Sequence, residues 1–448
     1  MGTVAPSFAQ YASSGSQGGS SGQGSGSSGG QGISPAGEYK EGLALGGWMF
    51  SPEIFLGTVY NTNANQLAGE ENNGWNLRVS PRIVGYYDGG ISKTTVYGVM
   101  DGQFFNTNTI AATAGLSNTY QPLPDWALNS FFNYTRETSL FNSALNFNNN
   151  AIGPAGAPPG GIPIILNPFG TTPTVNPIAY NQFTAGGSIN KTWDQAFASL
   201  GATGFYILYD DQSNVIVPPF ATSTNGADIW VQGRVGYHFI PGYYVFGEGD
   251  GIFQRFANSV FDTNGYRVIG GLGEDDSQSL FRGEVYGGYQ AQQQTANNNV
   301  SGTQSIPLVS PNGFPTNTGS GVYGARLNYF PTQYWTWIAS VDQTLGVQTQ
   351  LAPGIPQGTP SKVTTALLQT TYALGHDWSI GARGGYTQGW YFGFAPETQG
   401  WLVGASFNYD IWRNLLLTLD YQYTTEHSSA LFSSFTQNQY TAGLTYRY

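Results

Sequence analysis

The sequence predicts an all-β protein: a transmembrane, antiparallel, up-and-down β-barrel of about 18 strands, with 16 as the alternative count. Three observations carry this. Charged residues are only 9% of a 448-residue chain, against roughly 25% in an ordinary soluble domain. Apolar and polar residues alternate with period two over segment after segment. The connections between those segments alternate short and long.

The missing charge is not replaced by general hydrophobicity. Mean hydropathy is slightly negative, aromatic residues are 15% and glycines number 63, and Asn, Gln, Ser and Thr fill the remainder. Something other than charge must therefore cover the exterior. No stretch approaches the roughly 18 to 20 consecutive apolar residues of a spanning helix. Lipid also forbids open sheet edges, because unpaired backbone groups there have no water to bond. A closed barrel is the spanning solution that remains. The chain has no Cys, which excludes disulfides, thiolate metal sites and Cys nucleophiles. A net charge of −11 argues against nucleic acid as a partner.

Three segments are expected. Residues 1–10, with Ser7 and Ala9 before Gln10, read as the remnant of a secretory signal peptide. Residues 11–45, mostly Gly, Ser and Gln at first, read as a disordered periplasmic linker. Residues 46–448 read as the barrel. Its last segment is the clearest: Tyr440, Ala442, Leu444, Tyr446 and Tyr448 alternate with Gln439, Thr441, Gly443, Thr445 and Arg447. Leu415 to Thr424, Trp401 to Asp410 and Trp335 to Asp342 repeat the pattern.

Short turns are expected at 88–90, 122–125, 193–195, 240–242, 274–277, 331–333, 375–377 and 410–414. Their residues are turn formers: Gly supplies positive φ, Pro presets φ, and Asp or Asn bonds its own backbone. Between them lie longer connections at about 62–73, 106–111, 141–178, 210–227, 257–265, 293–320, 350–362, 392–398 and 427–437. Tight periplasmic turns and long extracellular loops are the outer-membrane pattern. Eight turns and nine loops join eighteen strands, with both barrel ends on the periplasmic side. Aromatic residues flank the short turns, among them Tyr86, Tyr87, Trp126, Phe239, Tyr243, Tyr334, Trp378 and Trp412. Amphipathic rings favour the headgroup region, so these read as the inner girdle. The terminal aromatic Tyr448, with Tyr440, Leu444 and Tyr446 in phase, resembles the signal read by the barrel-assembly machinery.

Residues 46–448 also resemble the putative beta-barrel porin 2 family of proteobacterial outer-membrane proteins. The matching motifs are Ser51-Pro52-Glu53-Ile54-Phe55-Leu56 leading to Tyr60-Asn61-Thr62-Asn63, the pair Ser80-Pro81, and a closing hairpin from Tyr421-Gln422-Tyr423 to Leu444-Thr445-Tyr446-Arg447-Tyr448. The resemblance implies a barrel in the outer membrane of a Gram-negative bacterium, in contact with its lipid and lipopolysaccharide. It supplies no catalytic residues.

Any solute chemistry belongs to the lumen, because Arg or Lys on the lipid face at midplane costs about 2 to 4 kcal/mol. Alternation places Arg78, Arg82, Arg234, Arg267, Arg282, Arg326, Arg383 and Arg447 there, with Glu284, Asp342 and Asp420. Asp101, Glu248 and Asp250 join them through Gly-rich strands whose alternation is poorer. Folding the hairpin at Asp275-Asp276 predicts a charged ladder with Arg267 opposite Glu284. Opposed charges in a channel create a transverse field that orients polar solutes; the alternative is that they only neutralise and stiffen the wall. The uncharged, Pro-rich segment 141–178 either narrows the lumen or is an external loop.

His238, His376 and His427 form no recognisable catalytic set, and no spaced oxygen-ligand motif suggests a metal. The expectation is a non-enzyme without cofactor: a porin-like channel for small polar solutes. The alternatives are a conduit for exopolysaccharide export, or a surface barrel with ligand-binding loops. A homo-oligomer is compatible with the sequence, which carries no trimer-specific signal.

Overall fold

The computed structural model describes residues 42–63, 73–106, 109–139, 178–210, 225–256, 262–276, 279–294, 317–347, 360–374, 377–392, 397–428 and 434–448. The expected signal remnant, the linker up to residue 41, the Pro-rich segment and His376 lie outside the described residues.

The described residues build one sheet. A three-residue strand, β1 (Leu43–Leu45), precedes eighteen long ones. These are β2 (Trp48–Asn61), β3 (Gly74–Asp88), β4 (Ser92–Phe105), β5 (Thr109–Leu123), β6 (Trp126–Ser139), β7 (Ile178–Thr192), β8 (Ala196–Tyr209), β9 (Gly226–Ile240) and β10 (Tyr243–Phe256). They continue as β11 (Thr263–Glu274), β12 (Phe281–Gln294), β13 (Asn317–Thr332), β14 (Trp335–Val347), β15 (Pro360–Leu374), β16 (Trp378–Tyr391), β17 (Glu397–Trp412), β18 (Leu415–Ser428) and β19 (Phe435–Arg447). Each pairs antiparallel with the next, and β19 returns to β2, from Gln439↔Asn61 to Arg447↔Glu53. The sheet is thus a closed, up-and-down barrel of eighteen strands, as the alternation and the turn spacing predicted. No helix of the described residues is long and apolar enough to cross a membrane.

Closure satisfies backbone groups that lipid would leave unbonded. Where the sequence interrupts the ladder, a side chain substitutes. Pro81 has no N–H, the β3–β4 register lapses at Ser80-Pro81, and the Ser80 hydroxyl donates to the Met100 carbonyl at 2.8 Å. At the turn end of the seam, the Tyr448 N–H donates to the Pro52 carbonyl at 3.2 Å. β1 takes up the next stretch of the β2 edge, from Leu43↔Phe50 to Leu45↔Trp48. Seven of the eight expected short turns lie between consecutive strands where turn chemistry placed them, and the β11–β12 connection, from Glu274 to Phe281, is longer than expected; Gly90 and Gly242 adopt φ of 81° and 83°, a region open to glycine.

The two phases of each strand meet different surroundings. Along β19 the exposed large apolar residues are Tyr440, Leu444 and Tyr446, followed by Tyr448, and the buried polar ones are Gln437, Gln439, Thr441 and Thr445. Apolar side chains face out and polar ones face in, the reverse of a soluble protein. Turn-proximal exposed rings include Trp193, Phe239, Tyr243, Tyr334, Trp378 and Trp412, and loop-proximal ones Trp75, Phe105, Tyr266 and Trp401. These are two interfacial girdles. Lys191, Arg136 and Arg255 carry charge in the outward phase, and each lies within three residues of a strand end, where the penalty for charge fades.

Candidate functional site

The inner wall is the candidate site. Its densest part spans β9 to β12, where side chains of one phase meet across adjacent strands. Arg234 lies opposite Glu248, and Asp250 opposite Arg267. Glu284 binds Arg234 at 2.6 Å, Arg234 reaches Glu248 at 3.4 Å, Glu248 binds Arg267 at 3.1 Å, and Arg267 Nε donates to Asp250 at 2.5 Å. Two guanidiniums and three carboxylates form one chain, almost wholly buried. Arg234 also lies 3.6 Å over the Phe246 ring and Arg267 5.4 Å over Trp230. Buried charge is tolerated only when paired and hydrogen-bonded in this way.

The predicted ladder is present, but its predicted rung is not. Arg267 does not face Glu284. The register sets Arg267 opposite Gln290 and Glu284 opposite Gly273, so the two lie six positions apart, about 20 Å along a strand. Arg267 turns to β10 and Glu284 takes Arg234. The cause is the β11–β12 connection, which reaches from Glu274 to Phe281 and is longer than the turn assumed from sequence.

Other expected residues form separate pairs. Arg78 grips Asp101 with two bonds of 2.8 and 2.7 Å. Arg82 stands 3.7 Å from Glu53, and Arg447 lies between Glu53 and Asp410 at 4.0 and 3.6 Å. Arg383 skips a strand: it passes over Gly404 on β17 to hold Asp420 on β18 at 2.8 and 2.9 Å and Gln422 at 3.1 Å. A Cβ at Gly404 would sit 2.8 Å from Arg383 Nε, so the glycine is the gap through which the guanidinium passes. Asp342 accepts the Tyr286 hydroxyl. Arg282 lies 4.9 Å over Phe330, and Arg326 stands opposite Glu284 in register. Tyr440, Leu444, Tyr446 and Tyr448 all face outward.

Several inward residues escaped the sequence reading. Asp228, Trp230 and Gln232 share the phase of Arg234 and are buried, as are Gln254, Gln290, Gln292 and Glu426. Gln254 donates to Asp228 at 3.2 Å. The signal was present, since every second residue of β9 from Asp228 to Arg234 is polar or indole. Attention to formal charge hid the amides. A second feature is apolar: Phe197, Tyr244, Phe246, Ile269, Tyr286 and Val322 pack together on the inside of β8 to β13. By contrast, inward residues toward the turn end of β13 to β18, such as Asn328, Ser340, Gln369, Asn408 and Thr418, remain half-open.

His238 sits between the Phe197 and Tyr244 rings, with Nε2 3.1 Å from Asp275. His427 is exposed at the end of β18. Among the described residues no group of three His, Cys, Asp or Glu side chains is arranged to hold a metal ion.

Fold and wall together define the class: an outer-membrane β-barrel of a Gram-negative bacterium. Residues 314–448, which include β13 to β19, match the model of the family described as Putative beta-barrel porin 2. The match agrees with the resemblance carried by the closing hairpin; the motifs near Ser51 and Ser80 lie outside it. No curated protein matches the chain. Among solved structures, the siderophore receptor PirA of Acinetobacter baumannii is 9% identical, with a TM-score of 0.42 over 91% of this chain and 81% of its own. OpdQ of Pseudomonas aeruginosa is 9% identical, with a TM-score of 0.41 over 89% of this chain and 98% of its own. A mutant of the ferric enterobactin receptor PfeA of Pseudomonas aeruginosa is 7% identical, with a TM-score of 0.41 over 89% and 80%.

Proposed function

We propose that the barrel is a porin-like channel for passive diffusion of small polar solutes across the outer membrane. The observation that carries this reading is the inner wall: eighteen closed strands presenting amides, hydroxyls and paired charges inward. A barrel of this strand number encloses an aqueous lumen unless side chains or loops fill it. Here the wall from β8 to β13 is thickened by its packed side chains, so the open section is narrower than that of an empty cylinder. The pairing of every strongly buried arginine described above leaves little net field and favours neutral solutes over either ion sign. The reading assigns the chain no catalytic chemistry.

Liposome swelling tests this. Proteoliposomes in an isosmotic neutral pentose should swell faster than protein-free liposomes, with rates falling from pentose to disaccharide. Truncating the packed side chains, as in Phe246→Ala with Tyr286→Ala, should raise the rate. Equal swelling with and without folded protein would contradict the channel.

A further inference from the structure

The end of β14 does not follow the wall. β13 and β14 run together from Thr332↔Trp335 to Gly324↔Asp342 and then part. Beyond that point, Asn317–Tyr323 have no partner on the β14 side among the described residues. β14 keeps its other neighbour, from Gln343↔Thr364 to Val347↔Pro360, and β15 stays with β16 up to Ser361↔Tyr391. The end of β14 is therefore rooted in a closed wall through β15, while its main chain laps the inner side of β13.

Three hydrogen bonds hold it there. The Leu345 N–H donates to Gln290 Oε1, and the Leu345 carbonyl accepts from Gln290 Nε2 and Gln292 Nε2, each at 3.1 Å. Both glutamines are buried and lie on β12, on the far side of β13. The Gln290 carboxamide offers one acceptor and one donor to a single residue, as a peptide group of a neighbouring strand would. Gln343 and Leu345 continue the phase of Val341, yet both are buried, and Gln343 donates to Thr364 Oγ1 at 2.9 Å. Thr344, in the opposite phase, is half-open, so this side of the strand borders the remaining lumen.

This path gives up stability. A β14 that stayed in the ladder would pair its peptide groups with those of β13. Its departure leaves one edge of β13 without a strand partner and commits two buried carboxamides to one residue. Such departures from a consistent fold are kept where function requires them. A second layer of chain inside the wall also takes about 10 Å from the bore, the spacing of sheets packed face to face.

We propose, on the channel reading above, that the end of β14 is an internal strap that sets the size limit for solutes, and that Gln290 and Gln292 are the latch that positions it. Without the latch, the free edge of β13 takes β14 back. The register continued from Gly324↔Asp342 then brings Val322 opposite Thr344, and the bore widens.

Gln290→Leu with Gln292→Leu keeps the side-chain bulk and removes the three bonds. Single-channel conductance of the full-length barrel should rise about two-fold, because a layer of about 10 Å leaves the bore of an eighteen-strand cylinder. Liposome swelling should then admit a trisaccharide that the wild type excludes. Gln292→Leu alone removes one bond of three and should move both readings less. Thr344→Cys, in a chain without Cys, reports from the strap itself: a charged methanethiosulfonate should reduce its current, whereas Tyr323→Cys, exposed on the outside of β13, should be silent. Strap position is read without current from spin labels at Thr344→Cys and Ser117→Cys, the latter half-open on β5 on the opposite side of the barrel. Their separation should lengthen in the latch variant. Unchanged conductance and size limit in a folded latch variant overturn the proposal, whatever happens to its stability, and so does a Thr344→Cys channel indifferent to the reagent. If the latch variant does not fold, the Thr344→Cys result decides. A wild-type barrel that carries no current contradicts the channel reading, while the label separation still decides whether the glutamines hold the strap.

Discussion

Gly404 shows how single residues place the interior charges. Arg383 reaches Asp420 across β17 because position 404 carries no side chain. Gly404→Val should therefore displace the guanidinium and strand a buried carboxylate, at a cost of about 3 to 5 kcal/mol. Arg383→Ala should cost a similar amount, and the double variant little more than either single one. Urea unfolding in lipid bilayers, followed by tryptophan fluorescence, would measure all three. Arg267→Ala, which takes the guanidinium from buried Asp250 and leaves Glu248 only its 3.4 Å contact with Arg234, should destabilise at least as much. The phase of these residues was legible from alternation, but their partners were not. Partners depend on register, and a connection longer than assumed moved Glu284 six positions from Arg267. Glu248 and Asp250 were harder still, since Gly247, Gly249 and Gly251 remove the apolar half of the signal on β10.

At the scale of strands, the turn residues and the loops between them fixed eighteen elements and their direction, because each rests on local chemistry. Packing inside the barrel was not local. The Tyr244 ring lies over Gly273 on β11, where a Cβ would stand 2.2 Å from its Cζ, while Gly249 faces open space. Gly273→Ala should cost about 1 to 3 kcal/mol, relieved by Tyr244→Ala, whereas Gly249→Ala should leave stability unchanged; the same unfolding assay separates them. The inward bend of β14 was equally invisible. Val341, Gln343 and Leu345 keep an unbroken alternation, and only the backbone path decides that the last two are buried, with the Leu345 main chain bonded to Gln290 and Gln292 and the Gln343 side chain to Thr364.

For the whole molecule, closure is the decisive property. Composition announced it, since a chain with 9% charged residues lacks the exterior of a soluble protein, and a polar phase repeated around eighteen strands leaves water-compatible groups only inside. How much of that interior is open depends on side-chain packing between distant strands, which periodicity does not encode. The packed wall from β8 to β13 predicts a conductance below that of an unfilled barrel of the same strand number, rising when Phe246 and Tyr286 are shortened. Single-channel recording of the purified, folded protein in a planar bilayer tests the central claim most directly. Discrete, ohmic steps that grow in Phe246→Ala with Tyr286→Ala are the expected result; a barrel that inserts fully, as shown by protection of its strands from protease, yet passes no current at any voltage would contradict it.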